Sequence, residues 1–371
     1  MKRTGIRRVF IVGAGFSHYA GLPLQSQFTA ALLEAVHFRR SAPSRQIVEY
    51  LNDFIREVFG VQGTPHARKW PELEDIFTCI DLSANMGHHL GAEYSPTTLR
   101  TVRRALIVRI IRMLHQRYRL AKKRHDPDWE TLETFFRRVD LSSSGFISMN
   151  WDTVIEQGIA MLPGALGIDY CCDAISASFP KRGDRRKRIL LDGRTPAKVI
   201  PVIKMHGSTN WLYCDNCSSL FSFPADDTIK IAEQLLGRQD WRRIAPSSGN
   251  SPIRWRCHNC PDVPLGTRLA TFSYLKALDF PMFQKSWFSA AKLLRDAKMW
   301  IFVGYSLPAA DYEFKHLLKR VHLSRDRAPK LVLLTGGWKA RMTIGNYKRF
   351  FGSIKVFDKG MTNHFIAQVS N

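Results

Sequence analysis

Four cysteines, Cys214, Cys217, Cys257 and Cys260, stand as two C-x-x-C pairs separated by a long loop. Each such pair makes a tight turn that aims two thiolates at one tetrahedral ion, so the set predicts a structural zinc site. Four thiolates leave no open coordination position, and the metal expected there is a staple of the fold. His258, inside the second pair, is a much weaker ligand candidate. Eight residues before Cys214 comes His206, in VIKMHGS. An imidazole at a strand end can take a proton from a sugar hydroxyl or a water at neutral pH; the plainer alternative is a hydrogen-bonded core histidine. Asn150 and Asp152 in SMNWD have two readings. They cap the next helix, or they orient a ribose and an attacking water. Gly13, Gly15 and Ala20-Gly21 follow an apolar run, where glycine either lets backbone N–H groups approach a pyrophosphate or serves a steric need of the turn. Glu34 lies ~20 residues on, where a ribose-binding acid is expected, but it falls in a helical pattern. That weighs against an ordinary dehydrogenase. Glu72, Glu74 and Asp75 fit the first turn of a helix, and Asp311 fits a helix cap or loop-fixing residue within reach of a cofactor.

These residues need a scaffold. RRVFIVGAG predicts a buried strand over Val9 to Val12 that ends in glycines, and its basic-then-apolar start is too short in apolar residues for a signal peptide. Helical spacing follows in Phe28, Leu32, Leu33 and Val36, then in Ile47, Leu51, Phe54, Ile55 and Val58. RTVRRALIVRIIRMLHQRYRLAKKR predicts a longer helix with Val102, Leu106, Ile110, Met113 and Leu114 as its apolar stripe. Its Arg and Lys residues are expected on an opposite, solvated face, with a polyanion-binding face as the alternative. Strands are expected at Phe146 to Met149, before His206, after Lys298 and at KLVLLTGG, each flanked by helical patterns. That alternation predicts an α/β fold with a mostly parallel sheet covered by helices. Ligands bind such sheets beyond the carboxyl ends of the strands. Those ends carry 13–17, 150–152, 206–207, 304–306 and 335–337, so a single composite site is expected. A basic segment at 181–188, KRGDRRKR, fits a surface loop.

The chain has 55 Lys plus Arg against 32 Asp plus Glu, a formal charge of +23. A field that positive attracts nucleic acid, acidic proteins or anionic cofactors. No apolar run approaches the ~20 residues of a membrane helix. Seven cysteines, four of them in metal spacing, fit a reducing cytoplasm, with Cys79, Cys171 and Cys172 as ordinary buried or half-buried thiols.

Taken in order, GAGFSHYAGLP at 13–23, SMNWD at 148–152, KMHGS at 204–208, the two cysteine pairs and VGYSLPAAD at 303–311 resemble the sirtuin family. The resemblance is closer to its divergent bacterial branch of NAD-consuming proteins found in antiphage defence. It implies one sirtuin-like domain over 1–371: a Rossmann-like parallel sheet with helices on both faces, a mostly helical segment at 25–140 and a zinc-ribbon module at 210–265. It also implies cleavage of the nicotinamide–ribose bond of NAD. Gly13, Ala14, Gly15 and Ser17 would then face the phosphates and ribose, with Gly304 and Ser306 on the adenosine side. Asn150 and Asp152 would lie at the nicotinamide ribose, and His206 would be the general base. A homo-oligomer, a separate ATPase or nuclease subunit, or nucleic acid would control the activity, in the cytoplasm and without a membrane. Two departures count against acyl-lysine chemistry. Leu24, Gln25 and Ser26 replace the family's acidic–aromatic–arginine run, and Met149 replaces a glutamine. The expected activity is therefore NAD hydrolysis, with an NAD-dependent protein-lysine deacylase and a non-catalytic NAD or ADP-ribose sensor as the alternatives.

Overall fold

The computed structural model describes residues 5–33, 42–61, 69–164, 166–181, 187–193, 196, 198–246, 254–267, 269 and 280–370. Glu34, Val36 and the centre of the basic segment, 182–186, lie outside them. The strands in chain order are β1 (Arg8–Val12), β2 (Ser144–Ser148), β3 (Leu166–Asp169), β4 (Ile175–Ser178), β5 (Leu190–Leu191), β6 (Lys198–Lys204), β7 (Trp211–Tyr213), β8 (Leu220–Ser222), β9 (Met299–Val303), β10 (Lys330–Leu334) and β11 (Lys355–Phe357).

Seven strands form one sheet in the order β11-β10-β9-β1-β2-β6-β3, and every neighbouring pair is parallel. β1 is central, and its five residues RVFIV are all buried, as a strand covered on both faces requires. Side chains alternate across the sheet. Phe10 and Val12 join one core with Phe146, Val202, Ile301 and Val303, while Val9 and Ile11 join the other with Ile147, Ile203, Trp300 and Phe302. The first core is closed by the helices before β2, the second by Pro281–Asp296, Tyr312–Leu323 and Ala340–Phe351. The expected α/β sheet with helices on both faces is present. The order runs outward from β1 in both directions, through β2 on one side and β9 on the other, so the crevice beside β1 is a switch point.

Several elements differ from the sequence expectation. β3, β4, β5 and β11 have two to four residues each, too few for an alternating pattern to stand out. The helix Pro96–Arg124 starts from a Ser95 cap, whose Oγ accepts the Thr98 N–H at 3.3 Å. Its apolar stripe is buried as expected, but its arginines do not form a solvated face. Arg109 is buried and donates to Leu32 O at 2.9 Å. Arg103 pairs with Asp81 at 2.8 Å and Arg104 with Asp240 at 2.5 Å, while Arg112 donates to Ser44 Oγ at 2.8 Å. The helix is internal to the helical layer, so its charged positions meet partners on neighbouring helices. Arg100, Arg119 and the last turn, Lys122, Lys123 and Arg124, are exposed.

The stretch between the cysteine pairs is also more than a ribbon. β8, within it, and β7, just before Cys214, belong to a four-stranded sheet ordered β5-β4-β8-β7. Beyond it, Thr228–Leu235 and Arg238–Ile244 are helices packed against Pro96–Arg124. Asp240 fastens that contact, accepting from Thr101 Oγ1 at 2.8 Å and from Arg104. No helix among the described residues is long and apolar enough to cross a membrane.

Candidate active site and metal centre

Backbone packing at the end of β1 explains its glycines. The Gly15 N–H donates to Gly304 O at 2.9 Å, and the Gly13 N–H donates to Val303 O at 3.1 Å. A Cβ on Gly13 would come within 2.7 Å of Gly304 O, and one on Gly15 within 2.7 Å of Gly304 Cα. Gly304 has φ +61°, and a Cβ there would lie 2.3 Å from Gly15 C. The loops after β1 and β9 are thus seated backbone on backbone, and only hydrogen fits at these positions. The steric reading of the glycines is the one visible here, with the Gly15 N–H engaged inside the chain. Ala14 is half-buried beside them and Ser306 half-buried on the facing loop.

Ser17 ends up buried in the short helix Ala14–His18, where its hydroxyl joins two sequence-predicted residues. Ser17 Oγ donates to Asp152 Oδ2 at 2.7 Å and accepts from Asn150 Nδ2 at 2.8 Å. Because the hydroxyl proton goes to the carboxylate, the Asn150 amide must offer its NH2 to Ser17, which leaves Oδ1 as the acceptor presented to a ligand. Asp152 Oδ1 accepts the Val154 N–H at 3.0 Å. Asp152 therefore holds the turn into the helix Val154–Ala160 with one carboxylate oxygen and Ser17 with the other.

His206 follows β6 and is buried. Its Nδ1 lies 3.1 Å from Met149 O, a carbonyl that can only accept, so Nδ1 carries the proton and Nε2 is the basic nitrogen. Nε2 faces Asp311 Oδ1 at 4.0 Å, and the Tyr305 hydroxyl donates to Asp311 Oδ2 at 2.9 Å. Asp311 occupies the cap position of Tyr312–Leu323 without its side chain capping that helix. The carboxylate faces the imidazole instead. His206 and Asn150 are joined through Met149, so the ends of β1, β2, β6 and β9 converge as expected.

Residues not picked out from the sequence complete the site. Lys204 is fully buried; its Nζ donates to Asp152 O and lies 3.5 Å from Glu156 Oε1. Burial pushes the Glu156 carboxyl up, against the pull of Lys204. Tyr170 donates to Glu156 at 3.3 Å, which extends this support under SMNWD. A lysine closing the apolar run VIPVI was the available signal. Glu74 lies in the first turn of Leu73–Met86, as expected for WPELEDIF, but it is buried and its Oε1 accepts from Gln25 Nε2. Burial pushes its carboxyl from 4.5 up to about 7; its own backbone N–H opposes this, while Glu72, Asp311 and Asp75 add to it. Glu74 was legible as a first-turn acid and Asp311 as a cap or loop-fixing residue within reach of a cofactor; their partners Gln25 and His206 come from segments far away in sequence.

The cysteine tetrad is assembled. The four sulfurs of Cys214, Cys217, Cys257 and Cys260 lie within 4.8 Å of one another, and Cys217 Sγ is 3.7 Å from Cys257 Sγ. A tetrahedron with metal–sulfur bonds of ~2.3 Å has edges of ~3.8 Å, so the set fits zinc. The turns that hold it are backbone-bonded, with the Cys214 N–H on Ser219 O and the Cys257 N–H on Val263 O, both at 3.0 Å. His258 turns to Ile189 O at 3.3 Å and stays outside the cluster.

No family model matches the chain, and no curated protein matches it in sequence. Among solved structures, it is similar to a sirtuin studied for the structural basis of substrate affinity, at 16% identity over 98% of this chain and 92% of that one, with a TM-score of 0.39. It is also similar to a Sir2 in complex with the inhibitor EX-527, 2′-O-acetyl-ADP-ribose and a deacetylated p53 peptide, at 15% identity, the same coverages and a TM-score of 0.31.

Proposed function

We propose that this chain is an NAD glycohydrolase that yields nicotinamide and ADP-ribose. The observation that carries the reading is the coupling of two devices at one sheet edge: the Asn150–Ser17–Asp152 chain and the His206–Asp311 pair. When the C1′–nitrogen bond breaks, its electron pair leaves with nicotinamide and the ribose becomes oxocarbenium-like. Asn150 Oδ1 accepts from the attacking water or a ribose hydroxyl. His206 Nε2 takes the proton the water loses as its oxygen bonds to C1′, and Asp311 steadies the imidazolium. Asp152, locked by Ser17 and Val154, supplies negative charge and orientation. An unregulated enzyme of this kind would drain cellular NAD. The reading therefore includes control by self-assembly, by an ATPase or nuclease subunit, or by nucleic acid attracted to the basic surface, as in a defence complex.

The test is to incubate the purified chain with NAD, with and without an acetyl-lysine peptide, and to separate nicotinamide and ADP-ribose by chromatography. Nicotinamide release without peptide, lost in His206→Ala, is the expected result. Release only with peptide, with an acylated ADP-ribose product, would replace the hydrolase by a deacylase. Saturable NAD binding without release would leave a sensor.

A further inference from the structure

The buried acids of this chain differ in one respect. Asp81 has Arg103, Asp240 has Arg104 and Glu156 has Lys204, while Asp152 and Asp311 accept from the Ser17 and Tyr305 hydroxyls. Glu74 is only 7% exposed, yet among the described residues no Lys or Arg pairs with it, although the chain holds 55 of them. Gln25 occupies Oε1, while Oε2 is buried with no hydrogen-bond partner. The charged groups that face it are acidic: Glu72 and Asp75 from its own helix, and Asp311 from the loop after β9 that also faces His206. A carboxyl in that position is short of a cation.

On the NAD reading above, we propose that Glu74 is a substrate-contacting, specificity-determining residue: with Asp311 it forms an anionic wall that receives the positively charged pyridinium ring and selects the oxidised dinucleotide over the neutral dihydropyridine form. Leu73–Met86 packs Phe77 against Trp151, the residue between Asn150 and Asp152, and Gln25, in the segment that leaves the glycine loop, holds the Glu74 carboxylate. The ring holds its charge before bond cleavage and loses it on departure. Glu74 therefore acts mainly on binding, and its removal raises KM more than it lowers kcat. Proton linkage follows from the same placement. Burial pushes the carboxyl up to about 7, and a cation bound beside it favours its ionised form, so binding at neutral pH expels a fraction of a proton.

The experiment uses the carbocyclic analogue of NAD, whose ribose ring oxygen is a methylene, in oxidised and reduced forms, so that cleavage cannot intervene. Calorimetry at pH 7 in two buffers of different ionisation enthalpy gives affinity and proton release together. The wild-type chain should bind the oxidised form about tenfold more tightly, equivalent to about one pKa unit of coupling. It should release protons with that form alone. Glu74→Gln keeps the shape and an acceptor for Gln25; it should cut the preference to about twofold and abolish the release. An unchanged preference and release in Glu74→Gln would overturn the proposal and leave the hydrolase reading intact. So would oxidised-form binding without proton release in the wild type, a result that needs no variant to fold. If the wild type binds neither form, the NAD reading fails and takes the wall with it.

Discussion

His206 owes its position to Met149 O and Asp311, and Asn150 owes its orientation to Ser17, so each can be removed without touching the core. His206→Ala and Asn150→Ala should each cost at least ~100-fold in nicotinamide release, the usual scale for losing a positioned proton acceptor or its partner. Zinc content and melting temperature should stay near wild type, as metal analysis and calorimetry would check; near-full activity in both variants would dismantle the site. Glu74 carries the opposite sign for stability. Its carboxyl is raised from 4.5 to about 7 on folding, so the folded chain holds that proton more tightly than the unfolded one. Folding is favoured most below 4.5 and loses stability as pH rises from there to about 7. Glu74→Gln abolishes this loss. It should melt several degrees above wild type at pH 8, with the gap closing towards pH 5; a variant less stable at pH 8 would show that Glu74 has a structural cation partner after all. A group that destabilises the resting fold at working pH is what a binding site is expected to hold.

At the scale of elements, the loops after β1 and β9 behave as one joint. Gly304→Ala puts a Cβ 2.3 Å from the Gly15 backbone in addition to forcing an L-residue to φ +61°. Gly60 has φ +62° with nothing within 4 Å, so Gly60→Ala isolates the conformational cost. Gly60→Ala should cost about 1 kcal/mol and Gly304→Ala about 3 or more in chemical denaturation. Equal costs would mean that the joint yields. The pieces legible in the sequence are those whose information is local. β1, β2, β6, β9 and β10 stand out as apolar runs, the cysteine pairs by spacing, and the glycine loop by composition. What was not legible depends on distant partners. The arginines of Pro96–Arg124 look like a solvated face until Asp81, Asp240 and Leu32 O arrive from other segments. Asp311 reads as a cap or loop-fixing residue within reach of a cofactor, and its partner His206 is visible only once β6 is placed opposite it. The strands β3, β5 and β11 are too short to carry a period at all.

Across the whole molecule, the cysteine cluster ties together parts that the sheet alone does not hold. Cys217 and Cys257 are 40 residues apart, and the chain between them travels out to the helical layer, where Asp240 is locked by Thr101 and Arg104. That layer also carries Glu74. A cross-link closing a loop of this length removes unfolded-state entropy worth about 4 kcal/mol, and folding coupled to zinc binding adds to it. Cys217→Ser should therefore lower bound zinc from one per chain to below it. It should also shift the melting temperature down by roughly 10 °C or more, with the loss appearing as helical signal because the two helices between the pairs lose their anchor. A reversible chelator should reproduce the effect on the wild type, and added zinc should restore it. Ser17, Asn150, Asp152 and His206 precede β7 in sequence while the cluster follows it, and their hydrogen bonds run to one another, to the Val154 N–H and to Met149 O. Whatever fraction of Cys217→Ser stays folded should hence keep its turnover per folded molecule. A soluble, zinc-free variant with an unchanged melting temperature would reduce the tetrad to four neighbouring thiols.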